Sequence, residues 1–300
     1  MKSVFVALAG LLAVSVTPVA AQAPAGDIRP DIVLTNAASR GGLDLTDAEW
    51  GWSIDPYRDG LAGFHGGAPG QGYRRYDPRD VEAYTRENPS ALYEYDMRLA
   101  DKVTLPMAWD VQSPELRHYE GLMWYERGFD YTPQPGTRAF LRVGAANYSA
   151  VVYVNGELAG HHEGGFTPFA FEVTNLVKEG ENRVAIGVDS VRTEDSVPPP
   201  VTDWETYGGI TRAVSLITVP ATFIDDAWIR LEKDGQIHAD IRLDGDKAAG
   251  MPVSVSIAAL DMTLSGTAGP DGRFSGSAAA PEDIELWSPE SPVLYGISVK

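Results

Sequence analysis

The sequence predicts an all-β chain made of two sandwiches in tandem. Three observations carry this. From Val103 onward the apolar residues fall in short runs, and several alternate with polar residues as a strand with one buried face requires. Clusters of Gly, Pro, Asn and Asp separate the runs at short, regular intervals, the habit of sandwiches. No stretch alternates strands with helices of about ten residues or more, so a parallel α/β sheet or barrel has nothing to be made from.

The chain opens on an address. Lys2 supplies a positive start, Val4–Val16 an apolar core, and Val19-Ala20-Ala21 or Ala21-Gln22-Ala23 small residues for cleavage. Pro24 disfavours the second site, so residues 1–21 are read as a signal peptide. The apolar run is too short for a membrane anchor. The 300 residues include no cysteine, which rules out disulfides. An export signal without cysteine suits a bacterial periplasm or secretion. The Asn147-Tyr148-Ser149 glycosylation pattern is too common a match to weigh against that.

Residues 22–42 have the composition of a linker, beginning Pro24-Ala25-Gly26. Trp50 to Ile54 reads as a first strand. A segment from Asp55 to Glu94 is rich in Gly, Arg and Tyr, and its first half has no periodicity, so it is a long loop, either a lid or a surface insertion. Within it Asp77-Pro78 starts a short helix, with an acid at the N-cap and proline at the first helical position, and Asn88-Pro89 stops it.

The strands follow. Leu122–Arg127 and Thr137–Val143 come first. Ala150–Val154, Asn155-Gly156 and Glu157–Gly160 form the strongest hairpin signal, because an Asn-Gly turn takes positive φ at both positions and matches strand twist. Phe169–Val173 and Asn182–Val188 continue the series. These place a first sandwich over residues 43–219. Beyond Pro220, Ala227–Leu231, Gln236–Leu243, Pro252–Leu260, Arg273–Ala278 and Val293–Val299 read as five more strands. An immunoglobulin-like sandwich usually has about seven, so residues 220–300 are expected to be an incomplete one.

Twenty-four Lys and Arg stand against 42 Asp and Glu, a formal net charge of −18 at pH 7. That excludes nucleic acid and anionic membrane surfaces as natural partners, while a neutral sugar is indifferent to it. The five histidines suggest no metal centre: His161 and His162, adjacent on a strand, point to opposite faces. No cofactor is expected.

One stretch concentrates candidate chemistry. Val201 to Arg212 follows the run Pro198-Pro199-Pro200, which cannot be an interior strand, and ends in Gly208-Gly209 before an apolar run. A carboxylate, Asp203, and two aromatics, Trp204 and Tyr207, therefore sit on a loop fixed at both ends. A carboxylate accepts from two sugar hydroxyls, and an aromatic face covers the C–H side of a ring. Asp203 could equally cap a turn.

Asp203-Trp204, Tyr207-Gly208-Gly209-Ile210 and Arg212 resemble the D-W-x-x-Y-G-G-I-x-R stretch of glycoside hydrolase family 2, the β-galactosidase and β-glucuronidase family. Other segments agree in order: Pro106-Met107-Ala108-Trp109 with P-x-x-W, and Tyr119-Glu120-Gly121 with Trp124-Tyr125. Asn155-Gly156, Gly164–Phe169 and Glu172-Val173-Thr174 resemble V-N-G…G-G-F-T-P-F…D-V-T with Glu for Asp, and Leu286–Pro292 resembles L-W-S-P-x-x-P. The resemblance spans residues 43–299. It implies a jelly-roll sugar-binding sandwich followed by an immunoglobulin-like one.

It further implies a retaining enzyme for terminal β-glycosidic bonds, whose two catalytic Glu lie in a (β/α)₈ barrel beyond the sandwiches. No Asn-Glu dipeptide occurs here, so catalytic residues are expected to be absent from these residues and the barrel to be the missing partner. Asp203 takes the place of the sugar-contacting Asp, and Trp204 is preferred to Tyr207 as a pocket residue. Asn147, eight residues before Asn155, has the spacing of a second sugar-binding residue, or is a turn residue between strands. The partner is a β-linked oligosaccharide or glycoside, and a homo-oligomer is compatible with all this. The alternative function is a stand-alone carbohydrate-binding or adhesion protein.

Overall fold

The computed structural model describes residues 31–62, 97, 100–205 and 207–300. The expected signal peptide, most of the Gly/Arg/Tyr-rich segment and the helix expected after Asp77 lie outside them. Among the described residues no helix is long and apolar enough to cross a membrane.

The first sandwich comprises β1 (Gly42–Asp44), β2 (Glu49–Asp55), β3 (Lys102–Thr104), β4 (Met107–Ala108), β5 (Leu122–Tyr131), β6 (Thr137–Val143), β7 (Ala146–Asn147), β8 (Ser149–Val154), β9 (Glu157–Glu163), β10 (Phe169–Glu172), β11 (Gly180–Asp189), β12 (Gly209–Ile210) and β13 (Val214–Pro220). One sheet has the order β1-β13-β6-β10, the other β3-β2-β5-β11-β8-β9. Alternation decides what lies between them: Leu141 and Val143 of β6, Phe169 and Phe171 of β10, Tyr125 of β5 and Ile186 of β11 join one core with Trp50 and Leu216. The β8–β9 hairpin turns at Asn155 (φ 53°) and Gly156 (φ 83°), as the Asn-Gly dipeptide predicts.

A third, small sheet closes one end of the sandwich. It has the order β4-β12-β7, with Gly209 paired to Ala108 on one side and to Asn147 on the other.

The second sandwich adds β14 (Phe223–Leu231), β15 (Gln236–Asp244), β16 (Pro252–Ile257), β17 (Met262–Thr267), β18 (Arg273–Ala279) and β19 (Ser298–Val299). Two three-stranded sheets, β14-β15-β18 and β17-β16-β19, enclose Ile241, Val255, Leu264 and Phe274.

Three expectations need correction. The described part of the expected linker, residues 31–42, is packed. Ile32 bridges Ala170 through two backbone bonds of 3.0 and 2.8 Å, Leu34 is 4 % exposed, and Thr35 Oγ1 donates to the Asp225 carbonyl at 2.7 Å. The run Ile32-Val33-Leu34 is too short to show a period, and Ile32 and Leu34 cover Phe140 and Ile217 on the outer face of the first sheet. Second, β17 was not expected, because its Thr, Ser and Gly resemble a turn. Third, only Ser298 and Val299 of the run from Val293 pair with a neighbour.

The two sandwiches meet at Arg138. Its guanidinium donates to Glu172 at 3.1 and 2.8 Å and to Asp244 at 3.0 Å, and lies 5.2 Å from the Phe140 ring centroid and 5.4 Å from that of Phe223. Glu172, which replaces the Asp of the resembled motif, is thus a ligand of this guanidinium. It also accepts from Thr174 at 2.8 Å.

Candidate functional site

The small sheet gathers three sequence motifs at one end of the first sandwich. Strand β4 belongs to Pro106–Trp109, β12 to Tyr207–Ile210, and β7 ends in Asn147. Gly208 is clamped from both sides: its carbonyl accepts from Trp109 N–H at 3.1 Å, and its own N–H donates to Asp110 Oδ2 at 3.1 Å. A Cβ at Gly208 would overlap the Trp109 ring, so glycine is required by close approach. Gly209 has φ +113°, and a Cβ there would lie 2.8 Å from the Met107 carbonyl oxygen. Trp109 is itself fully buried, and its indole N–H donates to the Tyr119 carbonyl at 3.1 Å.

The other end of the loop is also tied down. Val197 N–H donates to the Tyr148 hydroxyl at 3.2 Å, and Arg192 Nη1 donates to the Pro199 carbonyl at 3.0 Å. Between these anchors the chain turns outward. Asp203 is exposed, Trp204 is 61 % and Tyr207 47 % exposed, and Thr202 Oγ1 donates to the Trp204 carbonyl at 2.7 Å. Val197, Val201, Trp204 and Tyr207 are all exposed along this stretch, several apolar side chains rather than a single one.

Asn147 occupies a different place from its two companions. It is 1 % exposed, its Nδ2 donates to the Tyr207 carbonyl, and its Oδ1 is buried without a hydrogen-bond partner. A Cβ on Gly165 would overlap its amide, so it also fixes how closely the Gly164–Thr167 loop approaches; that loop carries Phe166, 55 % exposed. Asp203 and Trp204 stand on the surface, and Asn147 lies beneath the loop that bears them.

Sequence reasoning missed the floor of this site. Asp110 is half-buried, and burial, followed by the charge of Glu205 on the loop above, raises its carboxyl above the ordinary range despite the bond from Gly208 and the nearby His118. Tyr125 is fully buried, its hydroxyl has no partner, and burial with the Asp110 charge pushes that hydroxyl up. The available signal was position: Asp110 directly follows a motif Trp, and Tyr125 closes the Trp124-Tyr125 pair.

The remaining motif residues are supports. Trp124 Nε1 donates to buried Asp55 at 2.9 Å, and Tyr119 OH donates to the Leu122 carbonyl at 2.6 Å. His161 pairs with Val151 and His162 with Ala150, which sends the two side chains to opposite faces. His238 lies apart on the second sandwich with Glu232 and Asp234, their ligand atoms within 4.8 Å of one another. Arg230 Nε already holds Glu232 at 2.6 Å, and Asp234 accepts from His238 at 3.0 Å.

The braced loop presents an exposed carboxylate, able to accept hydrogen bonds, and an exposed indole, able to cover an apolar face.

Residues 78–220 match the family described as glycosyl hydrolases family 2, sugar binding domain. Among curated proteins the chain is similar to the β-glucuronidase of Canis lupus familiaris, 29 % identical over 224 residues, 63 % of this chain and 34 % of the relative. It is 30 % identical over 225 residues to that of Homo sapiens, again 63 % and 34 %. With the β-galactosidase of Thermoanaerobacter pseudethanolicus it shares 27 % over 251 residues, 75 % of this chain and 32 % of the relative. The chain thus spans about a third of the length of these relatives. Among solved structures its fold resembles Bifidobacterium dentium β-glucuronidase complexed with coumarin-3-O-glucuronide, with a TM-score of 0.62 at 23 % identity, covering 87 % of this chain and 44 % of that one.

Proposed function

For a chain whose residues 78–220 match the sugar-binding domain of glycosyl hydrolases family 2, we propose that these residues form the non-catalytic wall of the sugar pocket in an exported, retaining β-glycosidase. The observation that carries the reading is the braced loop. Asp203 and Trp204 are exposed side by side, while Gly208 is held by Trp109 and Asp110 beneath them. Asp203 is the acceptor for sugar hydroxyls and Trp204 the stacking face. Asn147 serves the same site from below, holding the Tyr207 carbonyl. The bond is cleaved by two carboxyl groups of a (β/α)₈ barrel carried by the rest of the polypeptide, about 5 Å apart for retention.

The substrate is a terminal β-glycoside of the galactoside or glucuronide kind, in line with the named activities of the relatives. The signal-like Met1–Ala21 supports export to a periplasm or beyond, and a homo-oligomer is compatible with this placement. The test is turnover by the full-length polypeptide. Release of aglycone from chromogenic β-galactosides or β-glucuronides, with retention at the anomeric carbon, is the expected result. Binding of sugar without any turnover would overturn the enzyme reading and leave a carbohydrate-binding or adhesion protein.

A further inference from the structure

Of the twelve described arginines six find a carboxylate and three, Arg40, Arg127 and Arg192, donate to backbone carbonyls. Arg138 holds Glu172 and Asp244, Arg183 holds Glu126, Arg230 holds Glu232 and Asp240, Arg242 holds Asp225, and Arg58 holds Asp189. Arg142 and Arg212 do not. Among the described residues neither guanidinium makes a hydrogen bond or an ion pair, and the charge that acts on Arg142 is that of Arg212.

The fold brings the two together. Arg142 lies on the outer face of β6, in register with Ser215 of β13 and Ala170 of β10. At the end of β6, Gly144 N–H donates to the Ala213 carbonyl at 2.8 Å, and a Cβ on Gly144 would sit 2.7 Å from the Cβ of Arg212. Arg142 and Gly144 are two residues apart, so they face the same side of the sheet. The acid in that row, Asp44 opposite Ser215, is engaged elsewhere: its carboxylate accepts from Thr46 N–H at 2.7 Å and faces Arg127.

Two like charges side by side, one of them half-buried, are unfavourable for the folded chain. Remote acids do not relieve this, because charges more than about 8 Å apart are screened at physiological salt. A planar oxyanion does, since each guanidinium offers a rigid fork of donors that matches two oxygens at once.

We infer that Arg142 and Arg212, beside the row that carries Ser215, form a binding site for an oxyanion. Its occupant is a small free anion such as inorganic phosphate or a carboxylate of a second copy of this acid-rich chain. Arg212 ends the stretch that carries Asp203, but the inference does not depend on the chain's proposed role in glycoside hydrolysis.

The test uses the 300-residue chain and the single variants Arg142→Gln, Arg212→Gln and Arg212→Lys. Phosphate binding is measured by titration calorimetry, and the association state by sedimentation in chloride and in phosphate of equal ionic strength. A free-anion site predicts a monomer whose phosphate affinity falls about tenfold or more in either Gln variant, and less in Arg212→Lys. In chloride each Gln variant should melt at or above the native temperature, because the repulsion is gone. A carboxylate of a second copy predicts instead a native dimer, dissolved by phosphate and by either Gln variant. A monomer whose variants bind phosphate as the native chain does, and melt below it in both salts, would overturn the site.

Discussion

Asp110 shows how one side chain can hold a loop from beneath. Its carboxylate accepts from Gly208 N–H, yet it is half-buried and faces Glu205, so its ionised form is disfavoured in the folded chain. The sign follows. Below the ordinary carboxylate range both states are protonated and nothing is lost. As pH rises through that range the unfolded chain ionises first, and the fold loses stability until the raised carboxyl has also ionised. Asp110→Asn keeps an acceptor for Gly208 and removes the charge. It should therefore be at least as stable as the native chain at neutral pH, the difference vanishing in acid, as urea titrations at several pH values would register. Asp110→Ala leaves Gly208 N–H without a partner and should cost about 1–3 kcal/mol in the same titrations. A neutral-pH stability of Asp110→Asn below that of Asp110→Ala would contradict this account.

The small sheet β4-β12-β7 is the element on which the site depends. Gly208 rests against the Trp109 ring, so Gly208→Ala forces the indole or the loop to move. Overpacking of this kind costs about 1–3 kcal/mol, and here it should also displace Asp203. The expected result is a lowered melting temperature together with faster amide exchange across residues 203–209. Exchange unchanged from native would show that Gly208 is not the brace. This sheet was only partly legible in the sequence. The Pro-Pro-Pro run and the Gly-Gly pair mark a fixed loop, and the motif order marks its neighbours. That Ala108, Gly209 and Asn147 share one ladder is not legible, because two-residue strands have no periodicity. For the same reason the burial of Asn147 could not be separated from exposure: a spacing of eight residues does not say which side of a loop the amide lies on.

At the scale of the molecule, regular strands were read well and irregular ones poorly. Thr137–Val143 and the Asn155-Gly156 hairpin carry apolar runs bounded by turn residues and appear where expected. Ile32-Val33-Leu34 is a run of only three apolar residues, β17 sets Met262 and Leu264 among Thr, Ser and Gly, and β19 has only two paired positions, so none announces itself. The two sandwiches also differ in cover. Leu286, Trp287 and Leu294 of the second are 66 %, 59 % and 84 % exposed, whereas Trp50 and Tyr125 of the first are fully buried. Limited proteolysis should accordingly trim these 300 residues from Lys300 toward Pro220 before the first sandwich yields; equal resistance of both would contradict that. The same 300 residues, freed of host glycosidases, should hydrolyse no chromogenic β-glycoside.

The claim on which the rest turns is that Asp203 reads the sugar, and its most direct test is kinetic, in the full-length polypeptide. Each hydrogen bond from a sugar hydroxyl to a charged acceptor contributes about 1.5–3 kcal/mol, and each 1.4 kcal/mol is about tenfold in rate. Asp203→Ala should cut kcat/KM by about two orders of magnitude or more on the best substrate. Its melting temperature should stay near native, since the side chain is exposed and contributes little to the core. Glu205→Ala, two residues on, is the control and should lose far less. Near-native kcat/KM for Asp203→Ala, or a loss that merely follows unfolding, would make Asp203 a turn residue and contradict the account.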